Sequence, residues 1–140
     1  MVMILGVNTL AVLVAAVAAM ILGALWYSPL LFGNLWIKLS EFTQKQIDEG
    51  KKKSMVVPYI LTFIGTLITG FVLSRFISFS NASTFVDGAL VGACAWLGFI
   101  APMQFGMILW EGKPLQLYVI HTLHYLVSLV IMGAILAAWM

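Results

Sequence analysis

Charge is the scarcest property of this sequence. Asp, Glu, Lys and Arg make up 9% of its 140 residues, against about 25% in an ordinary soluble domain. A chain so poor in charge cannot coat a water-soluble globule. Cysteine is nearly missing as well: Cys94 stands alone, which excludes an internal disulfide and leaves the redox compartment open. The few carboxylates are scattered, and no H-E-x-x-H arrangement pairs metal ligands with a general base. Neither a G-x-S-x-G elbow nor a phosphate-cradling glycine loop occurs. The formal charge is +2, and basic residues are not interleaved with stacking aromatics outside the apolar runs, so nucleic acid is not an expected partner.

What the chain has in quantity is hydrocarbon: 63% of residues are hydrophobic and the mean hydropathy is +1.09. Four apolar runs, roughly 4–28, 55–77, 84–109 and 115–138, each reach the ~20 residues that a helix needs to cross a bilayer. The first lacks the basic leader of a secretory signal and exceeds its usual core length, so it reads as a retained helix. Lipid leaves unpaired backbone groups without partners, and the short alternating pattern of a barrel is absent. The expected fold is all-α, an integral membrane bundle of four transmembrane helices forming one domain over residues 1–140.

Lys38, Lys45, Lys51, Lys52, Lys53 and Lys113 fall in the first and third connections, with Arg75 alone on the opposite side. This bias predicts that those connections are cytoplasmic and both termini outside. Trp26, Tyr27, Trp36, Tyr59 and Trp110 fit the inner interface and Trp139 the outer one. Between the first two spans, Leu35, Trp36, Leu39, Phe42 and Ile47 share one helical face while Lys38, Glu41, Lys45, Asp48 and Glu49 share the other. An amphipathic interfacial helix over about 34–50 is expected, with Glu41 and Lys45 at ion-pair spacing. Trp36 and the run Lys51, Lys52, Lys53 would then contact lipid head groups. The alternative is a solvated linker.

Two short patterns bear on packing. PLLFG from Pro29 and PMQFG from Pro102 share P-x-x-F-G at corresponding span ends, where proline can end or kink a helix. Small residues recur every fourth position at Ala15, Ala19 and Gly23 and at Gly88 and Gly92, which lets helices approach closely in lipid. Whether these ridges join helices within one chain or between chains is open, and self-association into a homo-oligomer is expected because four spans enclose little protected interior.

The stretch YVIHTLHYL places two imidazoles inside the fourth span. Counting ~1.5 Å per residue from Leu115 puts His124 near mid-membrane and His121 about one turn nearer the inner face. Tyr118, His121, Tyr125 and Ser128 follow a helical rhythm, flanked by Thr122 and His124, and such a stripe must face other helices or a hydrated cavity. Cys94 and Trp96 lie at similar depth on the third span. A closed zinc site needs four ligands, which this layer does not supply. No metal or other cofactor is expected.

Three readings of the layer stay open. Neutral histidines may simply hydrogen-bond neighbouring helices. A small solute, ion or proton may be bound or passed, with Asp87 as outer acceptor, His121, His124, Tyr118, Tyr125 and Trp96 in the middle and Glu111 as inner exit. A membrane-embedded enzyme or metal binder is the third, and the chain reads rather as a non-enzyme. Structural counterparts exist for the outer residues: Asp87 also fits a helix first turn capped by Ser83 or Thr84, and Glu111 a solvated turn. Thr62, Thr66 and Thr69 are expected to bond their own helix carbonyls. Asn8 and Gln104 are amides able to bridge helices. The sequon at Asn81 lies too near the membrane for glycosylation.

GALWYSPLLFGNLW, preceded by VNTLAVLVAAVAAMIL, together with VDGALVGACAWLGF, WEGKPLQLYVIHTLHYL and MGAILAAW, resembles the small prokaryotic membrane family catalogued as domain of unknown function seventeen-sixty-one. The resemblance covers nearly the whole chain, and WYSPLLFG is its most specific part. It implies a four-span architecture in a prokaryotic cell membrane, with lipid as a partner. It implies no activity, cofactor or catalytic residue.

Overall fold

The computed structural model describes residues 3–4, 7–40, 43–52 and 56–139, and for Met3, Ile4, Ile47, Gly50, Lys51 and Lys52 the backbone alone. Two short strands, β1 (Met3–Ile4) and β2 (Val7–Asn8), pair antiparallel ahead of the first span. The helix α1 (Thr9–Trp26) therefore starts later than the apolar run does. Asn8 sets that start: its side-chain oxygen accepts from the Ala11 amide at 3.2 Å, an N-cap in place of the expected interhelical bridge.

Next come α2 (Gly33–Leu39) and α3 (Gln44–Lys52), followed by α4 (Val56–Phe79). Two helices thus divide the segment expected to be one. Thr43 starts α3 through a reciprocal cap, its hydroxyl accepting from the Gln46 amide at 3.1 Å while the Gln46 carbonyl oxygen accepts from the Thr43 amide at 2.9 Å. Glu41, Phe42 and Lys53 lie outside the described residues, as do the side chains of Ile47, Lys51 and Lys52. Asn81, at φ 57°, closes α4: the amides of Asn81 and Ala82 return to the carbonyls of Ser78 and Ile77, a helix end that asparagine tolerates in left-handed backbone.

The third span, Phe85–Leu109, is interrupted. It comprises α5 (Phe85–Ala95), a wide π-helical turn (Trp96–Ile100), α6 (Ala101–Gln104) and α7 (Gly106–Leu109). Pro102 accounts for the widening, since its ring clashes with the carbonyl four residues back and it has no amide to donate. The fourth span is α8 (Leu115–Ala138). All four spans are long and apolar enough to cross a membrane.

Helix α8 is the shared partner. Gly88 and Gly92 of α5 press directly on its backbone: a methyl at Gly88 would overlap the Gly133 carbonyl, and one at Gly92 the Leu129 carbonyl. This ridge joins helices within one chain, where close packing replaces the hydrophobic drive that lipid removes. On the other side Ala11, Ala15 and Ala19 of α1 are buried, and together with Val7, Val12, Leu73, Ile77, Leu129, Met132 and Leu136 they form the dry core. This core fills the end of the bundle where α1 begins and α8 finishes. The polar layer occupies the other end of the same two helices.

Candidate functional site

The small-residue ridge of α1 ends at Gly23, and Trp26 and Tyr27 follow within one turn. Both reach α8. The Trp26 indole donates to the Ile120 carbonyl at 3.1 Å, and the Tyr27 hydroxyl shares a 2.6 Å hydrogen bond with Nδ1 of His121. From the third span the Trp96 indole donates to the Thr122 carbonyl at 2.7 Å. Two indoles, one from each neighbouring span, therefore grip α8 on either side of His121.

Tyr118 supplies a further tie in the opposite direction. Its hydroxyl donates to the Ala101 carbonyl at 2.7 Å. That acceptor is freed because the Phe105 amide turns to Pro102 instead of completing a regular helical bond. The Thr122 hydroxyl donates to the Tyr118 carbonyl within α8. The proline break thus produces the carbonyl that anchors the base of the histidine helix.

His124 is held differently. Its ring lies 5.2 Å from that of Tyr27, 5.4 Å from Tyr125 and 5.9 Å from Trp26. Both of its ring nitrogens are covered, and among the described residues they are the buried side-chain polar atoms without a hydrogen-bond partner. Burying such a group unpaired costs about 1–3 kcal/mol, and native structures keep few of them. Tyr27 also meets Trp36 of α2 edge-on at 5.3 Å, so one phenol touches both imidazoles and the short helix beyond the span.

The structure therefore brings His121, His124, Tyr125, Trp36 and, through Thr122, Trp96 around one stretch of α8, with Tyr118 just below. It does not bring Asp87 or Glu111 to them. Asp87 is exposed in the first turn of α5, its amide donating to the Thr84 hydroxyl at 3.1 Å. Counting from the Gly88–Gly133 contact, Asp87 sits roughly 13 Å along the axis from His124. Glu111 is exposed in the turn before α8. Cys94 is exposed on the outer face with Phe76 and Leu90, and Thr66 and Thr69 bond the carbonyls of Thr62 and Gly65 on their own helix. Among the described residues no group of three His, Cys, Asp or Glu side chains converges to hold a metal ion.

Trp26 and Tyr27 join the site although sequence reasoning assigned them to the membrane interface. A signal for Tyr27 was present: the four-residue step Ala15, Ala19, Gly23 lands next on Tyr27, so the residue shares the face that packs on α8.

Four apolar helices with a polar layer between the first and last define a polytopic helical membrane protein. The chain belongs to the family described as Protein of unknown function (DUF1761), whose model matches residues 10–137. No curated protein and no solved structure matches it.

Proposed function

We propose that the protein binds a small solute, ion or proton at the layer formed by His121, His124, Tyr27 and Tyr125, and is not an enzyme. The observation that carries this reading is the contrast between the two imidazoles, one committed to Tyr27 and the other buried without a partner. Binding is better supported than end-to-end passage, because the close contact of α5 and α8 fills the stretch between Asp87 and His124. In a passage mechanism Asp87 is the outer acceptor and Glu111 the inner exit. The proposed setting is the inner membrane of a prokaryote, with both termini outside, the α1–α4 and α7–α8 connections cytoplasmic, and several copies associated. Lys51, Lys52, Lys53 and Trp36 then meet anionic head groups on the cytoplasmic face.

Proteoliposomes test the reading. His121→Gln with His124→Gln should abolish proton or solute flux, or ligand-induced stabilisation, while the protein stays folded. Unchanged flux and binding in a folded double variant would refute it.

A second reading, a structural or lipid-interacting protein, draws on the hydrogen bonds from Trp26, Trp96 and Tyr118 that tie α8 to both neighbours. There the same substitutions lower thermal stability and move no flux or binding signal.

A further inference from the structure

Gly23 lies opposite the orphaned imidazole. A methyl group placed on it would stand 3.4 Å from Nε2 and 4.0 Å from Cε1 of His124, and would meet no other side chain or neighbouring helix within 4 Å. The Nε2 edge therefore faces a notch about one methyl group across, close to the size of a single water molecule. The notch exists because position 23 carries no side chain.

We propose that this notch is a binding site for a water-sized, uncharged molecule that can both donate and accept a hydrogen bond, with His124 as its ligand-bearing group. The inference rests on the reading that the histidine layer binds a small species, and it names the class of that species and the imidazole that holds it. His121 is excluded as the primary contact at Nδ1 because that nitrogen is taken by Tyr27. A neutral imidazole carries one donor and one acceptor, and a small protic guest at about 2.9 Å from Nε2 satisfies whichever of these that nitrogen presents. The last turn of α1 supplies carbonyl lone pairs beside the notch, the Gly23 carbonyl among them, which takes a single 3.1 Å bond from the Tyr27 amide. Charge is selected against: Trp26, Tyr27, Tyr125 and His121, the side chains placed against His124, offer no formal counter-charge, and an ion at this depth would stay unpaired. The same aromatic collar limits the guest to what the notch alone can hold.

Water itself is the probe. Protein with 15N-labelled histidine, reconstituted in lipid bilayers, is studied by water-edited solid-state NMR, with His124→Phe used to assign the two imidazoles. In the native chain polarisation passes from water protons to His124, and Gly23→Ala removes that transfer while leaving the His121 signal of the Tyr27 bond in place. Absence of transfer to His124 in the native chain overturns the proposal, as does undiminished transfer in folded Gly23→Ala. If that variant does not fold, the native spectrum decides alone. Water at His124 without flux or solute binding would sink the functional reading and spare this site; flux or binding without water at His124 would do the reverse.

Discussion

Replacing Gly88 by alanine challenges the packing that holds the histidine helix in place. The added methyl would lie 2.5 Å from Cβ of Ala137 and overlap the Gly133 carbonyl. Carbon atoms in contact stand about 3.5–4.0 Å apart, so α5 and α8 must separate by about 1 Å or more. Overpacking of this kind costs about 1–3 kcal/mol. Alanine also gains up to about 1 kcal/mol over glycine inside any helix, which would mask part of the loss. Gly65→Ala removes that ambiguity: Gly65 has no atom within 4 Å of the position a methyl would take, so it receives the helix gain without the clash. The difference between the two variants should therefore approach the full overpacking cost. Thermal unfolding of both in the same detergent and lipid mixture, followed by tryptophan fluorescence, reads it. Gly88→Ala should unfold several degrees below Gly65→Ala. Equal unfolding temperatures would refute the intrachain contact of α5 and α8.

Other substitutions probe the layer and its supports. Tyr27→Phe removes the bond to His121 and should cost about 0.5–1.5 kcal/mol, with a change in the His121 15N signals that reports the lost partner. Trp96→Phe keeps most of the ring but loses the bond to the Thr122 carbonyl, for a similar cost measured by unfolding. Pro102→Ala restores a backbone donor and should let the π-helical turn relax towards regular helix, releasing Tyr118 from Ala101; weaker protection of this turn in hydrogen exchange would count against that. Thr43→Ala deletes one half of the cap on α3 and should cost about 0.5–2 kcal/mol of local helix stability, seen as faster exchange over Gln44–Lys52 with the four spans unaffected.

Much of the architecture was written in composition. Four runs of apolar residues without internal charge leave a chain little choice but spanning helices, and the glycine ridge at Gly88 and Gly92 announced a close helix contact. The partner of that contact was not legible, because a glycine states that something must come near without saying what. The divided segment after α1 was missed for a related reason: an amphipathic pattern runs across Ser40 to Thr43 as if unbroken, while the reciprocal bond between Thr43 and Gln46 restarts the helix. The histidine layer was legible in depth and in membership on α8. Its other half was not, since a tyrosine and a tryptophan near a span end are equally suited to the lipid interface, and three-dimensional packing turns them inward. The consequence of Pro102, a freed carbonyl for Tyr118, depends on which amide bends away and cannot be read from a motif.

A structure determined in lipid bilayers, resolved well enough to orient both imidazoles, would decide whether Tyr27, His121 and His124 build one polar binding layer. The expected result is the Tyr27 hydroxyl bonded to His121 and density for a small non-protein species beside Nε2 of His124 in the Gly23 notch. A dry interface, with His124 turned into hydrogen bonds with neighbouring helices and Tyr27 facing lipid head groups, would contradict it.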